Sequence, residues 1–496
     1  MTGVDRLRAR DLALLAAEDE TGPSHDAALE IFEPGDNALT YTSLVALIED
    51  RLAFVPRYRQ RLADVPGRLA NPVWVDDADF DLSYHVRRSA LPRPGSDEQL
   101  RDLVGRIISR PLDRERPLWE VYFIEGLAEG RVAILSKSHP VLVDGVQTVA
   151  LGQVLLDTGR EYTLDDREGW RAEPTPTAAG LVWGAVKDSV ERPITVLETA
   201  SANAGAALRQ AAAVAGRAGS LAGALTARGS APATPINLRL SHQRLFVGVR
   251  TDLADYRAIR GPQGGTVNDV VLATITGGLR SWLMARGESL GGVRQLRALV
   301  PMSVIDDDLE ATSLGSQLAG HLVELPISEP SPVVRLHQVS YSFKTHGETR
   351  RTVAANRLAG IAGFAPATFH VLGSRLIAAE NGQHFNLGVT NVPGPQFPLY
   401  AAGGRMEQTY PVPPLPPGHA LAIGVTSYDG AVYYGLTGDR TAVPDLDLLG
   451  TCLTESLEEL LDSAGPDRSR APRGRGSRGS RGGDRKATRK VTRSTR

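Results

Sequence analysis

The chain has 496 residues, 42% of them apolar and 23% charged, with 55 Lys/Arg against 57 Asp/Glu. That length exceeds one ordinary core and predicts two domains, and the composition is that of a soluble globular protein. A single cysteine, Cys452, excludes an internal disulfide framework and the usual Cys-based zinc sites, and points to the cytoplasm.

The N-terminal stretch MTGVDRLRARDLALLAAEDE interrupts its apolar positions with charge, unlike a secretory signal. No run of about 18 apolar residues is free of charge, so no transmembrane helix is expected. Residues 43–62 space apolar side chains three and four apart, which predicts an amphipathic helix whose end is biased by Pro56. FDLSYHV (80–86) alternates as a strand does, and QLRDLVGRIIS (99–109) is helical. WEVYFIEGL (119–127) and RVAILSKSH (131–139) read as a hairpin around AEG, and VQTVALGQVLLD (146–157) as a helix.

Near residue 160 the composition turns polar and Pro-rich, a linker signal. Residues 181–229 are rich in Ala and Gly and predict packing or linker helices; the weakly cationic polar face argues against a helix lying on a membrane. From Thr234 onward strands (244–251, 295–304, 321–327, 387–392, 421–428, 432–438) alternate with helices (267–283, 331–346, 445–464). Strands and helices interleave in both halves, which predicts α/β layers with a mixed sheet in each. The resulting domain plan is 1–163, a linker over 164–233, 234–464, and a tail over 465–496.

That tail holds 12 basic and 2 acidic residues, while the remainder holds 43 basic against 55 acidic. Without large apolar residues apart from Val491, it is expected to be disordered. Anionic lipid headgroups or nucleic acid would attract it, but it has no aromatic residue to stack on bases, so no specific nucleic acid is expected.

The chemistry centres on SKSHPVLVDGVQ (136–147). Taken alone, HPVLVDG is a strand end followed by an Asp-Gly turn, with Asp144 placed to cap the next helix and Gln147 at capping-box spacing. There is no P-loop, no HExxH and no G-x-S-x-G elbow. GRGSRG in the tail matches a dinucleotide fingerprint on paper, without the strand and helix that the fingerprint needs.

Several segments together carry more. PLDRERPLWEVYFIEGLAEGRVAILSKSHPVLVDGVQ (111–147), TVNDVVLATITGGLR (266–280), RALVPMSV (297–304), LGVTNVPGPQFPLYAAGG (387–404) and SYDGAVYYGLTGDRTAVPDL (427–446) resemble the bacterial wax ester synthase/diacylglycerol acyltransferase family. The likeness runs from near Leu12 to about Leu461 with its blocks in family order. It implies the fold of the CoA-dependent acyltransferases: two chloramphenicol acetyltransferase-like α/β domains with a tunnel between them. Acyl-CoA would be the co-substrate and diacylglycerol or a long-chain alcohol the acceptor, with no cofactor and no metal. Insoluble substrates imply peripheral contact with the inner membrane face or with lipid droplets.

The family's motif is His-His-x-x-x-Asp-Gly, whose second histidine takes the proton from the acceptor alcohol. Histidine suits that task because its unperturbed pKa lies near neutrality. Aligning Asp144 and Gly145 with the motif puts His139 on the first histidine and Pro140 on the second. Proline cannot accept the proton. His139 and Asp144 are therefore the catalytic candidates and Gly145 the turn residue, with His139 expected to face away from the tunnel unless a kink before Pro140 re-aims it. Ile305 and Ser316 also stand where the family commonly has Arg and Asn. Tunnel or scaffold roles are implied for Trp119, Asn268, Asp269, Pro301, Ser303, Asn391, Pro393 and Gly394. Architecture suffices for many of these: Trp119 as core, Glu120 as ion-pair partner, Asn268-Asp269 as a helix start and NVPGP as turn chemistry. The remaining histidines, His370 among them, have no motif and are read as structural.

Three functions follow. One is an acyl-CoA-dependent O-acyltransferase with weakened base catalysis. Another is an inactive relative that binds acyl-CoA or neutral lipid. The third, a condensation domain of peptide synthesis, shares the motif, but PLWE and NVPGP argue against it.

Overall fold

The computed structural model describes residues 5–18, 22–34, 39–143, 150–162, 164, 170–183, 231, 234–288, 290, 295–303, 318–347, 366–379 and 384–465. Residues 184–230 of the linker, 466–496 of the tail, Asp144, Gly145, Ile305 and Ser316 lie outside them.

Two six-stranded mixed sheets organise the chain. Their strands are β1 (Asp26–Phe32), β4 (Val86–Ala90), β5 (Trp119–Glu125), β6 (Val132–Ser138), β7 (Arg244–Asp252), β8 (Leu296–Ser303), β9 (Leu318–Leu325), β10 (Leu387–Val392), β11 (Tyr400–Ala401), β12 (Gly404–Val412), β13 (Leu421–Tyr428) and β14 (Ala431–Asp439), while β2 (Gln60–Ala63) and β3 (Val73–Asp76) form a small ribbon. The first sheet runs β11-β12-β1-β6-β5-β4 and the second β7-β14-β13-β10-β8-β9. In the second, β10 pairs in parallel with both β13 and β8.

The first sheet takes β11 and β12 from beyond residue 234, so sheets and chain halves do not coincide. Strand β12 pairs antiparallel with β1 and at the same time lies against the second sheet. Glycine makes that approach fit: a Cβ at Gly435 would fall 1.6 Å from the Pro411 carbonyl oxygen. Any side chain there would force the sheets apart.

Helix starts follow local chemistry. Ser96 and Gln99 form a capping box at the head of Asp97–Ile108, and Asp97 and Glu98 complement its dipole. Thr266 and Asp269 do the same for Val267–Ala285. That helix buries Leu272, Leu279 and Trp282 in the core of the second sheet, each contributing about 1.5–3 kcal/mol on burial.

Three elements depart from the sequence expectation. The helix over 43–62 is shorter, Tyr41–Arg51, because Thr40 caps it and the chain breaks ahead of Pro56 into a 3₁₀ turn and β2. FDLSYHV opens with a helical turn, Leu82–His85, capped by Asp81, and only Val86 begins a strand. The helix after the motif is short among the described residues, Leu151–Val154. The hairpin β5–β6 forms with Trp119 opposite Ser138.

Candidate active site

A cavity of about 270 Å³ lies on one face of the first sheet. Its floor is β1 and β6, through Asp26, Ala28, Glu30, Ser136 and Ser138. Gly152 and Leu151 close it from the short helix after the motif, and Ala367, His370 and Val371 from the helix Pro366–Ala379. Pro395, Phe397, Thr426 and Ser427 complete the wall, so both halves of the chain contribute. The lining is mostly apolar, the pattern of a site that encloses a largely hydrocarbon ligand around a few polar groups.

Burial controls the titratable groups in it. The Glu30 carboxyl is pushed up to about 8, and Asp26 is also raised well above the usual carboxylate range. The same burial pushes the His370 imidazole down to about 3. All three side chains are thus biased to their neutral forms.

Strand alternation sorts the motif residues by face. Ser136 and Ser138 line the cavity and Lys137, between them, points the other way. Its Nζ donates to the Arg110 carbonyl at 2.6 Å and to Glu120 Oε2 at 3.3 Å. Glu120 also receives the Tyr122 hydroxyl at 2.8 Å and pairs with Arg87 at 3.1 Å. These four side chains form an ionic network on the far side of the sheet.

His139 sits on that far side too. It is 1% exposed, its Nδ1 accepts from Val141 N at 3.2 Å, and its Nε2 is 3.7 Å from Glu18 Oε2. Burial alone would raise the Glu18 carboxyl, but His139, the Ser24 amide and Arg114 together hold it well below the usual range. Pro140 begins a 3₁₀ turn, Pro140–Leu142, that His139 caps. The expected kink is present, yet it does not turn the ring inward: His139 is no part of the cavity wall. The physical reason is that the cap to Val141 and the Glu18 neighbour both draw the ring to the Lys137 face.

The other sequence candidates fall into three groups. Trp119 is core, fully buried, its Nε1 donating to the Tyr58 carbonyl at 2.7 Å and its ring stacked on His85. Asn268 and Asn391 meet, Asn391 Nδ2 donating to Asn268 Oδ1 at 2.8 Å, so the VND and NVPGP blocks join where β10 meets the start of the helix Val267–Ala285. Asp269 caps its own helix and accepts from Ser340 at 3.2 Å. Pro393 is half-buried, and Gly394 sits where a Cβ would be 2.0 Å from the Ser427 carbonyl oxygen, which sets the path of the loop toward Pro395 and Phe397. Pro301 packs at Gly373 on the helix Pro366–Ala379. Ser303 ends β8, and its side chain lies outside the described residues, as do Asp144 and Gly145. Among the described residues no group of three or more His, Cys, Asp or Glu could hold a metal ion.

His370 was not singled out by the sequence. It has no motif around it, and only the apolar three- and four-residue spacing of FHVLGSRLI after Pro366 marks a helix that could bring it inward.

Comparison with known proteins agrees with this architecture. Residues 7–271 match the model of the wax ester synthase/diacylglycerol acyltransferase catalytic domain and residues 314–461 that of the WS/DGAT C-terminal domain. A probable diacylglycerol O-acyltransferase of Mycobacterium tuberculosis is 42% identical over 259 residues, 52% of this chain and 96% of its own length. A second from the same organism is 30% identical over 468 residues, 93% of this chain and all of its own. Among solved structures, a wax ester synthase/diacylglycerol acyltransferase from Marinobacter aquaeolei covers 93% of this chain and 99% of its own, at TM-score 0.65 and 27% identity. The first condensation domain of the calcium-dependent antibiotic synthetase, 15% identical at TM-score 0.55, covers 93% of this chain and 96% of its own and shares the fold. The two mixed sheets flanked by helices are thus the CoA-dependent acyltransferase fold, and the chain belongs to the wax ester synthase/diacylglycerol acyltransferase family of acyltransferases.

Proposed function

We propose that this protein transfers a long-chain acyl group from acyl-CoA to diacylglycerol, making triacylglycerol, and also accepts a fatty alcohol to give a wax ester. The observation that carries the reading is the largely apolar cavity at the junction of both halves, in a chain of this family. Enclosing a thioester and a hydroxyl there lowers the barrier by alignment, worth several kcal/mol without a base. With Pro140 in the motif and His139 on the far face, the motif itself supplies no base. General-base help is typically about 10²–10⁴-fold, so a motif without a base does not by itself make the enzyme inert. Contact with the inner membrane face or with lipid droplets would be peripheral: among the described residues no helix is long and apolar enough to cross a membrane.

The second reading, a relative that binds acyl-CoA or neutral lipid without turning it over, is favoured by the same proline. Incubating the purified chain with radiolabelled palmitoyl-CoA and either diacylglycerol or hexadecanol separates the two. Labelled triacylglycerol or wax ester above a heat-denatured control is expected. Acyl-CoA binding without any product would leave only the second reading.

A further inference from the structure

The helix Pro366–Ala379 holds the backbone on either side of Asp144 and Gly145, at Val143 and at Ala150. Thr368 Oγ1 accepts from Ala150 N at 2.9 Å, and Arg375 Nη1 donates to the Val143 carbonyl at 3.0 Å. Arg375 is itself fixed by an ion pair with Asp11. His370 lies between these two anchors and forms part of the cavity wall. Its Nδ1 is 2.9 Å from Thr390 Oγ1 on β10, and its Nε2 is buried without a hydrogen-bond partner among the described residues. A buried ring nitrogen left unmatched is costly unless something else meets it. Among the described residues no other histidine lines this cavity.

We propose that His370, delivered from the C-terminal half, is the general base of this enzyme in place of the histidine that Pro140 displaced. The proposal rests on the acyltransferase reading above. With Nδ1–H donated to Thr390 Oγ1, Nε2 carries the lone pair, and a rotation of the buried ring toward the cavity that it helps to line brings that lone pair to the acceptor hydroxyl. It removes the proton from the acceptor hydroxyl as that oxygen bonds to the thioester carbonyl carbon. The tetrahedral intermediate then collapses, the C–S bond breaks, and the departing CoA sulfur takes the proton back from the imidazolium. Burial keeps the resting ring neutral but also weakens it as a base, so the oxyanion that forms beside it has to supply the stabilisation that lets the ring take the proton. Thr390 is the positioning residue, holding the ring in that tautomer.

The test is steady-state turnover of palmitoyl-CoA with diacylglycerol by the full-length protein and three variants, alongside acyl-CoA binding by calorimetry. His370→Ala is expected to lower kcat by about 10²–10⁴-fold with little change in KM, the range of a lost general base. Imidazole added to the assay is expected to restore part of that loss, which no purely structural role for the ring would allow. Thr390→Val, which keeps the ring and the shape of the strand, is expected to lower kcat at constant KM even if His370→Ala fails to fold. Pro140→His in the His370→Ala background is expected to return turnover from the motif position. A wild type that turns over while His370→Ala and Thr390→Val keep its kcat overturns the base assignment and leaves the acyltransferase reading standing. A wild type that binds acyl-CoA but makes no product overturns both.

Discussion

Glu30 offers a direct measure of how dry the cavity is. Its carboxyl is 4% exposed and faces the cavity from β1, close enough to the short helix that a Cβ on Gly152 would sit 3.1 Å from Oε1. Burial raises its pKa from 4.5 to about 8. The folded protein therefore holds this proton to about pH 8, whereas the unfolded chain releases it near 4.5. Stability from this group is complete below the unfolded value and declines as pH rises, by about 1.4 kcal/mol per unit, until the folded pKa is passed. The whole loss is roughly 5 kcal/mol, of which about 3 kcal/mol falls between about pH 5.5 and 8.5. Glu30→Gln keeps the shape and has no proton to lose. Urea unfolding of both proteins at those two pH values isolates the term: the wild type should lose about 3 kcal/mol more than the variant on going to the higher pH. Equal losses in the two proteins would mean that Glu30 is solvated in solution, and the picture of a water-poor, acyl-accepting cavity would fail with it.

Three further substitutions probe the motif and the loop that walls the cavity. His139→Ala should destabilise by about 2–4 kcal/mol in urea unfolding, since it strips the buried Val141 N–H of its acceptor and Glu18 of its neighbour, whereas His139→Asn keeps an N-cap acceptor and should cost less than half as much. Equal stability of both variants and wild type would refute the structural role assigned to this ring. Gly394→Ala sets a Cβ against the Ser427 carbonyl oxygen and should cost about 3 kcal/mol while loosening the Pro395–Phe397 wall, so acyl-CoA affinity should fall with the melting temperature. Unaltered melting would show that the loop has room the geometry denies it.

Much of the architecture was legible because its signals are local. The β-rich run RVAILSKSH and the helix start at Asn268-Asp269 depend on residues a few positions apart, and both elements form where the pattern places them. Shifts occurred where short-range polar chemistry outweighed hydrophobic spacing, as when Asp81 capped a helical turn inside a stretch that alternates like a strand. The placing of Lys137 and His139 off the cavity face that carries Ser136 and Ser138 likewise follows from counting faces along β6.

The elements that complete the cavity were not legible, and the reason is topological. Strand β12 finds its partner β1 almost four hundred residues away, and its fit against the second sheet depends on Gly435, a residue whose role appears only when Pro411 lies across it. His370 is harder still. Nothing within its own helix distinguishes it from a core histidine; its meaning comes from Thr390 on one strand, from the wall it shares with Asp26 and Glu30 on another, and from the Val143 and Ala150 backbone that its helix clamps. A base supplied from the motif is encoded by neighbours in sequence, whereas a base supplied across the cavity is encoded by neighbours in space. A proline in the motif therefore removes only the first kind, and the motif alone cannot decide whether a member of this family that has lost the residue has lost the reaction.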